Sequence, residues 1–394
     1  MRSFRIGSAF GIPIKVDVTF LLVLPLFAWL IGSQIGQWAG ILNDLWGLGL
    51  DQAALTAGSL PWVLGAVAAL GLFAGVVLHE LGHSLVAIRY GYPIDSITLW
   101  ILGGIAQLSE QPEDWRHELQ IGIAGPAVSV VLGVLSYALL FVLPAGMANA
   151  RFVFGYLAIV NLSLAAFNLL PGFPMDGGRV LRALLARTRS FARATQLAAE
   201  VGKAVAVLMG ILGLFGGNLI LIGIAFFIYI GASGESQRTV MNAAFQDVSV
   251  GDVMTAIADL DTVAPDRSIA DLVEEMFHRR HTGFPVEQNG QIVGMVTLED
   301  ARQVQPVERE AFTVADVMST ELHTIPRYAN AMDALEKMQS LRVGRLLVVD
   351  ERGDVVGLLS RTDLMTAFNI ITSSGRATRE QTGMPGDPTV EEQV

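Results

Sequence analysis

The sequence predicts a multi-pass α-helical membrane protein, with about six transmembrane helices, that continues into a small α/β module built from a tandem repeat. Of its 394 residues, 52% are hydrophobic and only 16% are charged, whereas ordinary soluble domains carry about 25% charged residues. Residues 1–236 contain twelve Lys or Arg and twelve Asp or Glu, whereas residues 237–394 contain fourteen and twenty-five, so the net charge of −11 belongs to the second part. Motifs in that acidic part recur after 63 or 64 residues.

Six apolar stretches are interpreted as membrane spans, because a bilayer core of about 30 Å requires a long apolar helix. They are Val18–Gly32, Leu60–Ile88, Leu119–Leu143, Phe152–Leu170, Leu197–Phe215 and Leu219–Ala232. A shorter apolar stretch, Ile97–Leu108, is rich in β-forming residues and is centred on Gly103-Gly104. It predicts a β-hairpin. An open hairpin cannot face lipid, so we expect it to dip into the membrane beside the helices; an interfacial loop is the alternative.

The distribution of Lys and Arg over the connections predicts the orientation of the spans. Positive residues precede the first span and cluster at 179–193, whereas residues 33–59 contain none. By the positive-inside rule, both termini are cytoplasmic in a multi-pass protein of the cell membrane. Residues 1–17 do not resemble a cleaved signal peptide.

Composition also excludes several classes of function. The chain has no cysteine, so disulfides, iron–sulfur clusters and cysteine-ligated zinc are ruled out. The acidic second part is a poor candidate for nucleic-acid binding.

The second span contains the motif His79-Glu80-Leu81-Gly82-His83. Ionisable side chains inside a span are costly and indicate function. Residues four apart lie on one face of a helix, so His79 and His83 can share a metal ion. Glu80 lies to the side of that face and suits a base acting on water activated by the metal. The pattern His-Glu-x-x-His on a helix is typical of zinc proteases.

A third metal ligand is needed, because a catalytic zinc takes three protein ligands and keeps one position open. The best candidate is Asp176, which follows the fourth span in a segment with two prolines and precedes Gly177-Gly178. These residues break the helix and free Asp176 to turn back toward the second span. A solvated aspartate at a capped helix end is the alternative.

These motifs resemble the site-2 protease class of intramembrane zinc metalloproteases. The resemblance rests on the His79–His83 motif, on Asn168 eight positions before Asp176, and on Gly122-Ile-Ala-Gly125-Pro126. It covers about residues 5–236 and implies a protease domain at 1–236. The resemblance implies one zinc ion per chain held by His79, His83 and Asp176.

The same resemblance assigns further roles. It implies that Glu80 is the general base and that Asn168 holds the substrate backbone or the oxyanion. It also implies that the hairpin pairs with an unwound substrate. The implied substrate is a single-pass membrane protein, such as an anti-sigma factor or a membrane-tethered transcription factor, cut by regulated intramembrane proteolysis.

The repeat resembles a tandem pair of CBS domains. Val250-Gly-Asp-Val-Met254 recurs as Val314-Ala-Asp-Val-Met318, and the motif ending at Asp300 recurs ending at Asp363. The expected organisation is a linker at 237–248, CBS domains at 249–303 and 313–368, and a disordered tail at 369–394. The resemblance allows a homodimer through the CBS domains.

In that family, the equivalents of Thr297 and Ser360 contact phosphate and those of Asp300 and Asp363 contact an adenosyl ribose. The resemblance therefore implies an adenosine nucleotide as a second ligand. The alternative is that Thr297–Asp300 and Ser360–Asp363 are capping boxes that only begin helices. The remaining histidines are interpreted as solvated: His117, His278, His281 and His323.

Two other functions remain open for the whole chain. One is a CBS-regulated transporter or channel, in which His79, Glu80 and Asp176 line an ion path. Such a protein would tend to have internal repeats among its spans, and none is evident. The other is a CBS scaffold with an inactive protease domain, against which the intact Glu80 argues.

Overall fold

The computed structural model describes residues 3–100, 103–108, 112 and 114–382, with no account of the side chains of 105–108 and 374–382. The described chain forms two compact units, Met1–Gln237 and Arg238–Val394.

The first unit is helical. Its helices are α1 (Phe20–Ser33), α2 (Ile35–Trp46), α3 (Gln52–Leu55), α4 (Leu60–Arg89), α5 (Trp115–Val142), α6 (Ala148–Asn168), α7 (Asp176–Ala186), α8 (Phe191–Phe215) and most of α9 (Leu219–Phe245), whose last residues belong to the second unit. Within the described residues, five of them are long and apolar enough to cross a membrane, and the bent pair α1–α2 makes a sixth if it counts as one span. The prediction of a multi-pass helical membrane protein is confirmed.

The first span differs from its prediction. α1 has only 14 residues, which at 1.5 Å per residue is too short for a bilayer core of about 30 Å. The chain bends by 63° and continues as α2. At the α1–α4 crossing the backbones meet closely: a Cβ on Gly65 would lie 2.8 Å from Gly32 N. The predicted first span, Val18–Gly32, therefore corresponds to the first half of a bent pair of helices.

A four-stranded sheet accompanies these helices. Its strands are β1 (Ser3–Ala9), β2 (Ile12–Asp17), β3 (Ile94–Trp100) and β4 (Gly103–Leu108), in the order β1-β2-β3-β4. The expected hairpin corresponds to the antiparallel pair β3 and β4, in which Gly103 and Gly104 are the first residues of β4. Residues 101 and 102 lie outside the described part of the chain. The N-terminal pair β1–β2 was not predicted, and β2 joins β3 in parallel.

The second unit contains the repeat. Its strands are β5 (Thr255–Ala256), β6 (Gly283–Gln288), β7 (Gln291–Thr297), β8 (Thr324–Pro326), β9 (Arg345–Val349) and β10 (Val355–Ser360). Its helices are α10 (Val250–Val253), α11 (Ile269–Arg279), α12 (Leu298–Gln303), α13 (Val314–Val317), α14 (Ala331–Leu341) and α15 (Arg361–Thr382), with a short 3₁₀ helix at Ile257–Asp259. Residues 383–394 of the expected tail lie outside the described part of the chain, and α15 occupies its beginning.

Each repeat has the order helix, two antiparallel strands, helix, and its own apolar core. The first core includes Leu272 and Phe284, and the second includes Leu335 and Leu346. The repeats are also intertwined, because β5 from the beginning of the first repeat pairs with β10 of the second. This arrangement makes the two repeats one α/β module.

Candidate metal site and nucleotide cavity

The two histidines of the motif lie on one face of α4 and are almost completely buried. His79 is 4% and His83 is 3% exposed, and their Nε2 atoms lie 3.2 Å apart. One helical turn separates the residues, which brings both ring nitrogens to the same place.

Residues of α5 contact the Nδ1 atom of each histidine ring. His83 Nδ1 lies 2.6 Å from the carbonyl oxygen of Ile121, and His79 Nδ1 lies 2.9 Å from Ser129 Oγ. A carbonyl can only accept, so His83 Nδ1 donates and His83 Nε2 presents a lone pair. Such bonds orient imidazoles that bind metal ions.

Gly125 lies between these two contacts on α5, next to the histidine rings. A Cβ at this position would clash with His83 Nε2 and would lie 2.7 Å from His79 Nε2. The absence of a side chain at Gly125 therefore leaves the space into which both nitrogens point.

Asp176 is the first residue of α7 and completes the group. Its Oδ2 atom lies 3.1 Å from His79 Nε2 and 3.2 Å from His83 Nε2. The carboxylate oxygen therefore lies beside the Nε2 atoms of both rings. A carboxyl group must be ionised to bind a metal ion.

The local chain explains how Asp176 reaches this place. A seven-residue connection separates α6 from α7, and Gly178 packs tightly on it, because a Cβ there would lie 2.5 Å from Phe173 N. The tight turn brings the start of α7 back to α4.

His79, His83 and Asp176 fit a zinc ion by their chemistry. Their ligand atoms all lie within 4.8 Å of one another, and no other group of three or more such residues occurs in the described part of the chain. Two imidazole nitrogens and a carboxylate oxygen are common ligands of catalytic zinc.

Glu80 is half-buried beside His79, and the hairpin lies against it. A Cβ on Gly104, in β4, would lie 2.5 Å from Glu80 Cγ. Asn168 is the last residue of α6 and is half-buried, and no side-chain hydrogen bond among the described residues joins it to the metal-binding group. The hydroxyl of Ser129 and the carbonyl of Ile121 were missed by sequence reasoning, which singled out only the Gly122–Pro126 stretch between them.

Comparison with known proteins places these features in a family. The model of peptidase family M50 matches residues 67–150 and 144–209, and the model of the CBS domain matches residues 250–306 and 314–370. A zinc metalloprotease of Methanocaldococcus jannaschii is 35% identical over 94% of this chain and 97% of its own length. The chain belongs to peptidase family M50.

Further similarities of this M50 peptidase extend over both units. A protein of Mycobacterium tuberculosis named Rip3 is 32% identical over 93% of this chain and 92% of its own length. The solved site-2 protease from Methanocaldococcus jannaschii is 36% identical and covers 60% of this chain and 95% of its own, with a TM-score of 0.41. Both resemblances inferred from the motifs are confirmed: the M50 peptidase is a zinc metalloprotease with a tandem CBS pair.

The CBS pair of this M50 peptidase contains a cavity of about 310 Å³. Thr297 and Asp300 from the first repeat line it, and so do Arg342 and Arg345 from the second repeat. His323 also lines the cavity. The cavity therefore combines the expected Thr297–Asp300 motif with cationic side chains from the second repeat.

The capping-box interpretation of the two motifs is also realised. Asp300 Oδ2 accepts from Thr297 N at 2.8 Å and from Thr297 Oγ1 at 2.6 Å, and Asp363 makes the same bonds with Ser360. Ser360 and Asp363 do not line the cavity. Of the two predicted motifs, Thr297–Asp300 is the one that combines a capping box with access to the cavity.

The histidines interpreted as solvated differ in their surroundings. His117 is half-buried, stacks on Tyr90 with ring centroids 4.0 Å apart, and lies 3.1 Å from the Tyr92 hydroxyl. Its interpretation as solvated is wrong, because the chain leaving α4 folds back over the start of α5.

Proposed function

We propose that this M50 peptidase is an intramembrane endopeptidase that cleaves membrane-spanning segments of single-pass proteins. The observation that carries the proposal is that Asp176, the first residue of α7, meets His79 and His83 on α4, a helix with the length and composition of a membrane span. Two buried imidazoles on such a helix, with a carboxylate against them, are costly unless they bind a metal ion.

The roles of the residues follow from their chemistry. His79 Nε2, His83 Nε2 and the Asp176 carboxylate would hold the zinc ion. When bound, zinc would polarise the scissile carbonyl and make the attacking water more acidic. Glu80 would take a proton from the attacking water and would pass it to the leaving amine.

The substrate is held extended beside Glu80. A peptide bond inside a helix is shielded, so the substrate must unwind locally before it is cut. The sheet order leaves β4 at an edge, and an edge strand can pair with an added extended peptide. Gly104 brings that edge against Glu80, and Asn168 would bind the substrate backbone or the oxyanion.

A cleavage assay with the purified protein distinguishes a protease from a transporter or channel. The substrates are single-pass proteins, such as anti-sigma factors or membrane-tethered transcription factors. The protease should cut them within the apolar segment, and a zinc chelator should stop it. A CBS-regulated transporter or channel would instead move ions across vesicles without cutting any of them. Ion flux without cleavage would overturn the proposal.

We also propose that both termini are cytoplasmic, because Arg187 and Arg189 lie between α7 and α8 and Arg193 lies in the first turn of α8, whereas residues 33–59 carry no positive charge. In this cysteine-free chain, an Asp44→Cys variant should react with an impermeant maleimide outside intact cells. A Thr188→Cys variant should react only after permeabilisation. Both positions are exposed. The reverse labelling pattern would invert the topology.

The cavity of the CBS pair is proposed to bind an adenosine nucleotide. Asp300 would accept hydrogen bonds from the ribose and Thr297 would contact phosphate. The guanidinium groups of Arg342 and Arg345 supply the positive charge that a phosphate requires. Regulation of the protease follows if the nucleotide binds its active and inactive states with different affinity.

Replacing Asp300 by alanine should weaken nucleotide binding about ten- to hundred-fold, because a lost ribose contact costs roughly 1–3 kcal/mol. The measurement is calorimetry on the full chain with AMP, ADP, ATP and S-adenosylmethionine. Asp316→Ala is the matched control, because Asp316 makes the same kind of capping box but does not line the cavity. No heat with any of the four compounds would leave the capping box as the role of Asp300.

A further inference from the structure

A buried ion pair joins α7 to α5 in the first unit. Arg182 is 4% exposed and Glu118 is 1% exposed. Arg182 Nε donates to Glu118 Oε1 at 2.6 Å, and Nη2 contacts the same oxygen. Arg182 Nη1 donates to Glu235 Oε1 on α9 at 2.9 Å. One guanidinium therefore connects three helices.

Two aromatic rings complete the surroundings of this guanidinium. Its carbon lies 4.9 Å from the ring centroid of Phe173 and 4.6 Å from that of Phe191. Phe173 belongs to the connection that leads into Asp176, and Phe191 begins α8. Arg182 therefore contacts the segments that precede and follow α7.

Stability alone does not explain this arrangement. Desolvation of two buried charges can exceed their attraction, and apolar residues of similar volume often stabilise a fold equally well or better. Glu118 also keeps one buried oxygen, Oε2, without a hydrogen-bond partner among the described residues. The ion pair therefore adds little net stability compared with apolar residues, but its hydrogen bonds define one relative position of α5 and α7.

That position matters because each helix serves the metal-binding group. Glu118 lies one helical turn before Ile121, whose carbonyl oxygen binds His83 Nδ1. Arg182 lies on the helix whose first residue is Asp176. We propose that Arg182 and Glu118 are positioning residues of the zinc site, which set the place of the Asp176 carboxylate relative to the two imidazoles.

The test replaces the ion pair by apolar residues of similar size in the full-length protein. The Arg182→Met/Glu118→Leu variant should unfold within a few degrees of the wild type. Its dissociation constant for zinc, measured by competition with a chelator, should rise about tenfold, the lower end of the range for direct partners of metal ligands, because Arg182 and Glu118 act through the helices that carry those groups. The visible spectrum of the cobalt-substituted protein should change, because the ligand geometry changes.

A conservative variant and a control variant complete the test. Arg182→Lys keeps the charge but loses the planar fork of donors, so it should show a smaller loss of zinc affinity even if the double variant does not fold. Arg193→Met removes an exposed arginine from α8 and should keep wild-type affinity and spectrum.

The inference rests on the proposed zinc site, and the two can fail separately. If His79→Ala retains zinc, the site itself is wrong and the positioning role falls with it. If His79→Ala loses zinc while the double variant and Arg182→Lys bind zinc and cobalt as the wild type does, only the positioning role is overturned.

Discussion

Replacing Glu80 by glutamine should abolish proteolysis while about one zinc ion per chain is retained. The amide keeps the size of the carboxylate but cannot take a proton from water, and loss of a general base costs roughly a hundred- to ten-thousand-fold in rate. Zinc should remain because His79, His83 and Asp176 form the group and Glu80 lies outside it. Cleavage rate and metal content are measured on the same purified sample.

Two comparisons make this result specific to Glu80. Glu200→Gln changes an exposed carboxylate on α8 and should leave proteolysis unchanged. Asp176→Ala should lose most of its affinity for zinc as well as its activity. Full zinc occupancy in a His79→Ala/His83→Ala double variant would contradict the site, and cleavage by Glu80→Gln at the wild-type rate would remove Glu80 as the base.

A single methyl group at Gly125 should prevent zinc binding. The added Cβ would clash with His83 Nε2 and approach His79 Nε2 to 2.7 Å, so it would occupy the space in which both ligand atoms meet. We expect Gly125→Ala to contain far less than one zinc ion per chain and to have no measurable proteolysis. Metal analysis after purification in zinc-containing buffer gives the result.

Destabilisation of α5 would not explain the loss of zinc, because the substitution raises helix propensity. Alanine favours a helix over glycine by about 1 kcal/mol, so Gly125→Ala should not weaken α5 through its backbone. Gly223→Ala is the matched control, because Gly223 lies in a membrane-spanning helix and a Cβ there meets no atom within 4 Å. Equal zinc content in the two variants would contradict the packing argument.

Local patterns predicted those parts of the molecule that depend on neighbours along the chain. The spans that contain α4, α5, α6, α8 and α9 could be predicted because each one must be apolar along its own length. The spacing of His79 and His83 is likewise local. Asp176 could be proposed as the third metal ligand because the prolines and glycines around it predict a turn. Its distance from α4 could not be predicted.

The remaining features depend on contacts between distant segments. Nothing near Ile12–Asp17 indicates that it pairs in parallel with β3, and the bend after α1 is a feature of packing. Gly125 is informative only once two imidazoles are placed beside it. Arg182 appeared as one more positive residue of a loop, whereas the structure buries it against Glu118, which is 64 residues away in the chain.

The two contacts from α5 to the histidines differ in how they can evolve. His83 is oriented by the main-chain carbonyl of Ile121, which every amino acid at that position supplies. His79 is oriented by the hydroxyl of Ser129, which one point mutation can remove or exchange. Selection, or a protein engineer, can therefore adjust the basicity of one imidazole through Ser129, while the orientation of the other is encoded by the backbone and tolerates drift at residue 121.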